Sequence, residues 1–310
     1  MDHTQPQENK SKKLQVPIIL FIVFWVIAIA LWQTKGTIFY LFNFGYIGTV
    51  VGFGIGLYIL LPNEKKPSGR RFVQLLIGIY MLGFLGLLKK ENMQLEGFFF
   101  YLLGGVFAGS VIHYFVAKLA GPLLFGRGFC GWACWTAMVL DFLPYKRNLN
   151  GRQSARWEKM RYAHFFVSLC LVFTLWFIFQ YRPARINDSG LRWLVGGNVL
   201  YFASALILAF SLRDNRAFCK YLCPITALLK VTSRFALLKI GGDHNKCTRC
   251  GACNKACPMN INVMEYLKNG QRVLSTECIF CLTCTTVCPE GILNTTMELD
   301  IGGKEILARR

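Results

Sequence analysis

The stretches 247-CTRCGACNKACP-258 and 278-CIFCLTCTTVCP-289 decide how this chain is read. Each sets three cysteines at two-residue intervals, a fourth after three more residues, and a proline directly behind it. The two runs are separated by a 20-residue gap. Two-residue spacers wrap a tight turn that carries successive thiols to one side and aims backbone N–H groups at bound sulfur. Zinc knuckles with paired C-x2-C motifs lack the third cysteine and the C-P ending. Disulfides are the other use of dense cysteine, but this spacing is that of metal ligation, and the cytosol keeps thiols reduced.

Over 244–293 the chain resembles the two-cluster bacterial ferredoxins. That resemblance implies two [4Fe–4S] clusters with the fourth cysteine of each run crossing to the other cubane. Cluster 1 is then expected on Cys247, Cys250, Cys253 and Cys288, and cluster 2 on Cys278, Cys281, Cys284 and Cys257. Ile261, Val263, Ile279, Phe280 and Ile292 occupy positions that line clusters in such domains. The domain offers no catalytic base or nucleophile, so the chemistry it can perform is electron transfer.

Upstream the composition changes. Hydrophobic residues make up 54% of the 310-residue chain and charged residues 16%, against about 25% charged in a soluble domain. Six stretches, at about 16–32, 38–61, 72–88, 97–119, 163–180 and 193–211, are apolar enough to span a bilayer, which takes ~20 residues. The fold class expected is an α-helical polytopic membrane domain of about six transmembrane helices plus a small α+β two-cluster ferredoxin-like domain. The first span reads as a retained signal anchor, its apolar run being too long for a cleaved leader. Glycines inside the spans (Gly52, Gly54, Gly56, Gly104, Gly105 and Gly109) suit close helix packing.

The net charge of +19 does not form a nucleic-acid stripe; the basic residues sit between apolar runs. One set of loops holds 14 Lys and Arg, including Lys10, Lys12, Lys13, Lys65, Lys66, Arg70, Arg71, Lys146 and Arg147; the alternating set holds six, including Arg185. By the positive-inside rule both termini and the cysteine-rich domain are expected at the cytoplasmic face of a prokaryotic inner membrane. The domain organisation expected is a cytoplasmic tail over 1–15, a transmembrane domain over 16–212, an interfacial segment over 213–243, the ferredoxin domain over 244–293 and a tail over 294–310.

A second cysteine set is repeated within the chain. Phe129-Cys130-Gly131-Trp132-Ala133-Cys134 and Phe218-Cys219-Lys220-Tyr221-Leu222-Cys223 share the pattern F-C-x-[WY]-x-C, each just after a span. On a continuous helix the i,i+4 spacing would put both sulfurs of a pair on one face. Three readings stay open: a further iron–sulfur or metal centre on Cys130, Cys134, Cys219 and Cys223, a thiol–disulfide pair, or structural packing. Cys170 reads as a small buried hydrophobe.

These motifs, with Gly126-Arg127-Gly128 before the first and Pro224 after the second, resemble the NapH/MauN-type membrane ferredoxin family over roughly 97–293. The chain departs from it at Trp135, where that family usually has proline, and in having six expected spans where its simplest members have four. The resemblance implies a quinol dehydrogenase-like subunit that exchanges electrons with membrane quinone inside a larger redox complex. A quinone site needs a proton-accepting side chain near the bilayer surface, and His113, Asp141 and His164 are the candidates. Trp132, Trp135 and Tyr145 read as interfacial belt residues, and 153–164 and 225–239 as surface-lying amphipathic helices. Two rival functions are a maturation or metal-reducing factor for a metalloenzyme and a redox-sensing regulatory protein.

Overall fold

The computed structural model describes residues 10–107, 109–145, 149–183 and 187–309, with the backbone alone over 10–13. Lys146, Arg147 and Arg185 and the first nine residues, which entered the charge and tail readings, lie outside the described residues. Five helices are long and apolar enough to cross a membrane: Leu14–Lys35, Ile38–Leu60, Lys66–Leu88, Ala155–Ile178 and Asp188–Leu212. Apolar runs of this length become helices because only internal hydrogen bonding satisfies their backbone away from water.

The chain divides into two compact units, one ending at Ile77 and one beginning at Gly78. In the first, the Lys10–Lys35 and Ile38–Leu60 helices pack along each other. Gly48 and Gly52, one turn apart, admit the Cβ atoms of Phe24 and Phe21 into space that a side chain would fill. Trp25 Nε1 donates to Thr49 Oγ1 across the same seam at 3.2 Å. The small-residue interface expected from Gly52 and Gly54 is present, whereas Gly56 makes only loose contact.

In the second unit the expected fourth span is not a continuous helix. It is a Leu95–Leu103 helix, a break carrying Gly105 and Gly109 at φ +69° and +55°, and an apolar helical run over Ser110–Phe125. Gly104, Gly105 and Gly109 therefore serve a chain reversal and not a packing seam. Phe98 stacks on Tyr114 with ring centroids 4.7 Å apart, so the shorter helix lies beside the start of the longer run. Glu91 closes the break: its Oε1 accepts from the Ser110 backbone N–H at 2.9 Å, an anion at a helix start. The preceding polar residues Glu91, Asn92 and Gln94 are buried. A hydropathy reading averages over such a break, which is why the stretch passes for one span.

Two other expectations are corrected. The segment 153–164 is not a separate surface helix; it is the start of the helix that continues through Ala155–Ile178. The helix expected over 225–239 stops at Ser233, and Leu238–Gly242 is instead a strand paired antiparallel with Leu293–Met297. This sheet, with short helices over Ala252–Ala256, Val263–Lys268 and Thr283–Thr286, builds the cysteine-rich domain. Its following residues double back. Gly302 N donates to Arg234 O at 2.7 Å, Ala308 N to Asn260 O at 2.9 Å, and Arg152 N to Ala308 O at 2.7 Å. The last described stretch thus straps the domain to the 152 region. Cys170, expected to be buried, is exposed on the Ala155–Ile178 helix, as a lipid-facing position would be.

The break predicts its own sensitivity. A Cβ on Gly109 would lie 2.0 Å from Glu91 Oε1, while Gly105 faces open space. Gly109→Ala is expected to lower stability by about 1–3 kcal/mol and Gly105→Ala by less, read as thermal unfolding midpoints in detergent; equal effects would contradict the contact.

Candidate metal centres

The structure gathers the eight cysteines of the tandem runs around two cavities. One is lined by Cys257, Cys278, Cys281 and Cys284, with Ile240, Ile261, Val263 and Ile279 among its walls. The other is lined by Cys247, Cys250, Cys253 and Cys288, with Met264, Leu267 and Ile292. Each cavity thus takes three cysteines from one run and the last from the other. The two halves mirror each other in the backbone: Arg249 and Gly251 in the first run, Phe280 and Leu282 in the second, all have positive φ. These left-handed turns curl each loop around its cavity, and the spacing alone did not mark Arg249, Phe280 or Leu282 as special. Ile261 N donates to Cys257 Sγ at 3.5 Å and Thr283 Oγ1 to Cys281 Sγ at 3.4 Å, donors of the kind that stabilise ligated sulfur.

The repeated cysteines adopt one shared local structure. In each copy a single helical turn (Gly128–Trp132, Ala217–Tyr221) ends where one phenylalanine carbonyl accepts twice. Phe129 O accepts from Ala133 and Cys134, and Phe218 O from Leu222 and Cys223, at 2.9–3.0 Å. The second cysteine then opens the region of the next helix, Trp135–Leu140 or Ile225–Ser233. The continuous i,i+4 helix expected from the spacing is therefore interrupted between the two sulfurs. The two copies are nonetheless tied together: Arg216 Nη1 donates to Cys130 O at 3.1 Å and Arg127 Nη2 to Thr226 Oγ1 at 3.2 Å. Burial pushes the Cys223 thiol up to about 11 and Cys219 up to about 12. Buried thiols of this kind are weak nucleophiles.

This third group abuts the Cys257–Cys284 cavity. Gly131 sits so near Ile279 that a Cβ would meet the carbonyl oxygen at 2.3 Å, and Trp132 Nε1 donates to Phe280 O at 2.8 Å. Cys130 belongs to the same apolar core as Cys257, Ile261 and Ile279. Trp132 and Trp135 are thus not belt residues: the second is buried and donates to Asn198 Oδ1 at 2.9 Å. Tyr145 packs edge-on against Phe210.

One residue that composition did not reveal organises the junction. Glu277, immediately before Cys278, is fully buried. It accepts from Arg127 Nη1 at 2.9 Å, Arg161 Nη1 at 2.9 Å, Arg152 Nη2 at 3.3 Å and Lys230 Nζ. Burial alone would raise its carboxyl, but Arg152, Arg127, Arg161 and Lys230 outweigh this and hold it well below the usual carboxylate range. A single acid among so many basic residues would be the only sequence signal for it. Nearby, Lys220 is buried between Asp214 Oδ2 and Asn260 Oδ1, both at 2.6 Å.

The remaining candidates are placed as follows. Asp141 is committed to Arg216, 2.6 Å from its Nη2, while Arg216 Nη1 donates to the Cys130 carbonyl. His113 packs edge-on against Phe129, its Nε2 buried without a partner. His164 Nδ1 lies 2.9 Å from Leu222 O and its ring stands edge-on to Tyr201. The hydroxyls of Tyr114 and Tyr201 and one oxygen of Glu96 are also buried without partners, and these three side chains lie within electrostatic reach of one another and, for the tyrosines, of Cys223. Neither tyrosine nor Glu96 was singled out from the sequence, because aromatic and acidic residues at span ends pass as ordinary.

Comparison with known proteins agrees with this arrangement. A 4Fe-4S dicluster domain model matches residues 239–289, and a 4Fe-4S binding domain model matches twice, at 107–150 and 197–241. The chain is 30% identical over 196 residues to YccM of Escherichia coli, named for electron transport, covering 56% of this chain and 52% of that one. It is 28% identical over 211 residues to the ferredoxin-type protein NapH of the same organism, covering 63% and 69%. It is 30% identical over 140 residues to the methylamine utilization ferredoxin-type protein MauN of Methylobacillus flagellatus, covering 43% and 48%. No solved structure matches. The chain carries two [4Fe–4S] clusters and is an iron–sulfur electron-transfer protein.

Because folding lowers the Glu277 pKa from its ordinary 4.5, its charge contributes stability above that value and loses it as pH falls through the folded pKa. Glu277→Ala leaves three buried guanidinium groups and the half-buried Lys230 each short of a partner and is expected to cost about 3–5 kcal/mol. The measurement is hydrogen exchange over 238–309 at pH 7, where unchanged protection would contradict the assignment.

Proposed function

We propose that this chain, similar as it is to the ferredoxin-type proteins NapH and MauN, is a membrane-anchored electron wire. In this reading it passes electrons between membrane quinol, or a membrane redox partner, and two cytoplasmic-side clusters. Cluster 1 is held by Cys247, Cys250, Cys253 and Cys288, and cluster 2 by Cys278, Cys281, Cys284 and Cys257. The observation that carries this is the pair of cavities, each lined by three cysteines of one run and the fourth of the other. When bound, the clusters supply reversible one-electron storage.

The protein's own residues set the conditions for that storage. Ile240, Ile261, Val263 and Ile279 keep water from one cavity, and the Ile261 N–H and Thr283 hydroxyl donate toward ligand sulfurs. Lys220, Arg127 and Arg216 bring buried positive charge beside the path from the third cysteine group to cluster 2. Buried cations favour the more negative, reduced state of a neighbouring centre.

Quinol oxidation also needs acceptors for protons inside the membrane region. His113, with its orphaned Nε2, His164 and the Glu96 carboxylate are the candidates, and the unpartnered Tyr114 and Tyr201 hydroxyls can hydrogen-bond the quinol and relay its proton toward them. Asp141, held by Arg216, serves as its counter-charge and not as a free base. The excess of Lys and Arg in alternating loops supports a cytoplasmic position for the cluster domain. The other end of the wire belongs to partner subunits of a redox complex.

The test is reduction of the anaerobically purified, cluster-loaded protein by a short-chain quinol, followed through loss of visible cluster absorbance. Wild-type protein is expected to bleach, and Glu96→Gln or Tyr201→Phe to slow the bleaching by on the order of 10²-fold without changing reduction by dithionite. Cys281→Ser is expected to remove one cluster, about four irons. Failure of quinol but not dithionite to reduce the wild-type protein would sink the quinone part of the reading.

A further inference from the structure

We propose that Cys130, Cys134, Cys219 and Cys223 jointly hold one additional four-iron cluster, shared between the two repeats. The proposal rests on the electron path described above and adds a third centre at its membrane end.

Stoichiometry is the first argument. The 4Fe-4S binding domain model matches twice, at 107–150 and 197–241, yet each match contains only two cysteines, Cys130 with Cys134 and Cys219 with Cys223. A four-iron cubane takes four thiolates. Neither repeat can bind one alone, and the fold joins the two: Arg216 Nη1, beside the second pair, donates to Cys130 O at 3.1 Å, and Arg127, beside the first, donates to Thr226 Oγ1, which donates to Cys219 O. Each pair is set by the same doubly accepting phenylalanine carbonyl.

Placement is the second. Trp132 Nε1 donates to Phe280 O at 2.8 Å, and Cys130 lies in the apolar core that also holds Cys257 and Ile279. The four thiols therefore border the Cys257–Cys284 cavity, where a further four-iron centre extends the same path.

Charge is the third. Lys118 is buried, with its Nζ 2.9 Å from the Phe129 ring centroid and 5.9 Å from that of Trp135. No carboxylate among the described residues pairs with it, and the groups that act on its charge are Cys134, Cys130 and Cys223. Arg127 and Arg216 also border the tetrad, but each has its own carboxylate, Glu277 and Asp141. Four neutral thiols would leave the Lys118 ammonium desolvated and uncompensated, which is costly. A cubane on four thiolates carries net negative charge and supplies the missing counter-ion. Lys118 is then a positioning residue for that charge, invisible in sequence as one lysine in an apolar run.

The experiment is iron, sulfide and zinc analysis of the full-length, anaerobically reconstituted protein, with Mössbauer spectroscopy on the iron-57-loaded wild type. About twelve irons per chain are expected, all in four-iron clusters. The Cys130→Ser/Cys134→Ser and Cys219→Ser/Cys223→Ser variants should each fall to about eight, because either pair completes the same centre. Wild-type protein with eight irons, one tightly bound zinc, or irons lost from only one double variant would overturn the proposal. The wild-type spectrum answers even if a variant fails to fold. Lys118→Met should shift the midpoint potential of the third signal and leave the other two unmoved; a uniform shift or none would overturn its role as counter-charge. Loss of the two ferredoxin signals themselves would instead undo the underlying reading, so the two failures are distinguishable.

Discussion

Four cations converging on the buried carboxylate of Glu277 hold this unit together. Arg127 precedes the first repeated cysteine pair, Arg152 and Arg161 flank the entry to the Ala155–Ile178 helix, and Lys230 lies in the helix after the second pair. They come from three separate parts of the chain, and Glu277 adjoins the first cysteine of the second run. A buried charge pair is weak evidence of net stabilisation against an apolar alternative. Its value here is register. With four donors on one carboxylate, and Glu158 and Glu305 bracing Arg152 and Lys230 from the other side, the loop carrying Cys278 is fixed against the segments that carry Cys130 and Cys219.

That register makes the cysteine groups a series. The loop around Ile279 and Phe280 presses on Gly131 and Trp132, leaving no room for a side chain at position 131. Cys130 shares its apolar surroundings with Cys257 and Cys278. Electron exchange over such a junction depends on closeness and on a dry, fixed medium, both of which the contact provides. On the proposed reading, the buried cations around it bias the centres they touch, so the same residues that fix position also bear on potential.

Much of this was legible beforehand, and the misses share a cause. The tandem runs disclosed the cysteine-rich domain, and the apolar runs disclosed most of the helices, because ligand spacing and hydropathy are local properties. The break at Gly104–Gly109 was missed because glycine in an apolar run suits packing and reversal equally. The helix expected over 225–239 runs into the start of the strand Leu238–Gly242 because that strand's partner, Leu293–Met297, lies far along the chain. Trp135 reads as an interfacial belt residue and Asp141 as a free proton acceptor because their partners, Asn198 and Arg216, are set by tertiary folding. Glu277, Lys118, Tyr114 and Tyr201 draw their meaning from neighbours distant in sequence, and no pattern of spacing announces them.

The strap over residues 302–309 has a kinetic consequence. By bonding to Arg234, Asn260 and Arg152 at once, it joins the cluster domain to its support at several separated points. A domain held this way cannot swing between a donor and an acceptor as a tethered carrier does. Transfer through it is a matter of tunnelling across a rigid frame, so the pace of this step is set by distance and driving force and not by the drag of the surrounding solvent.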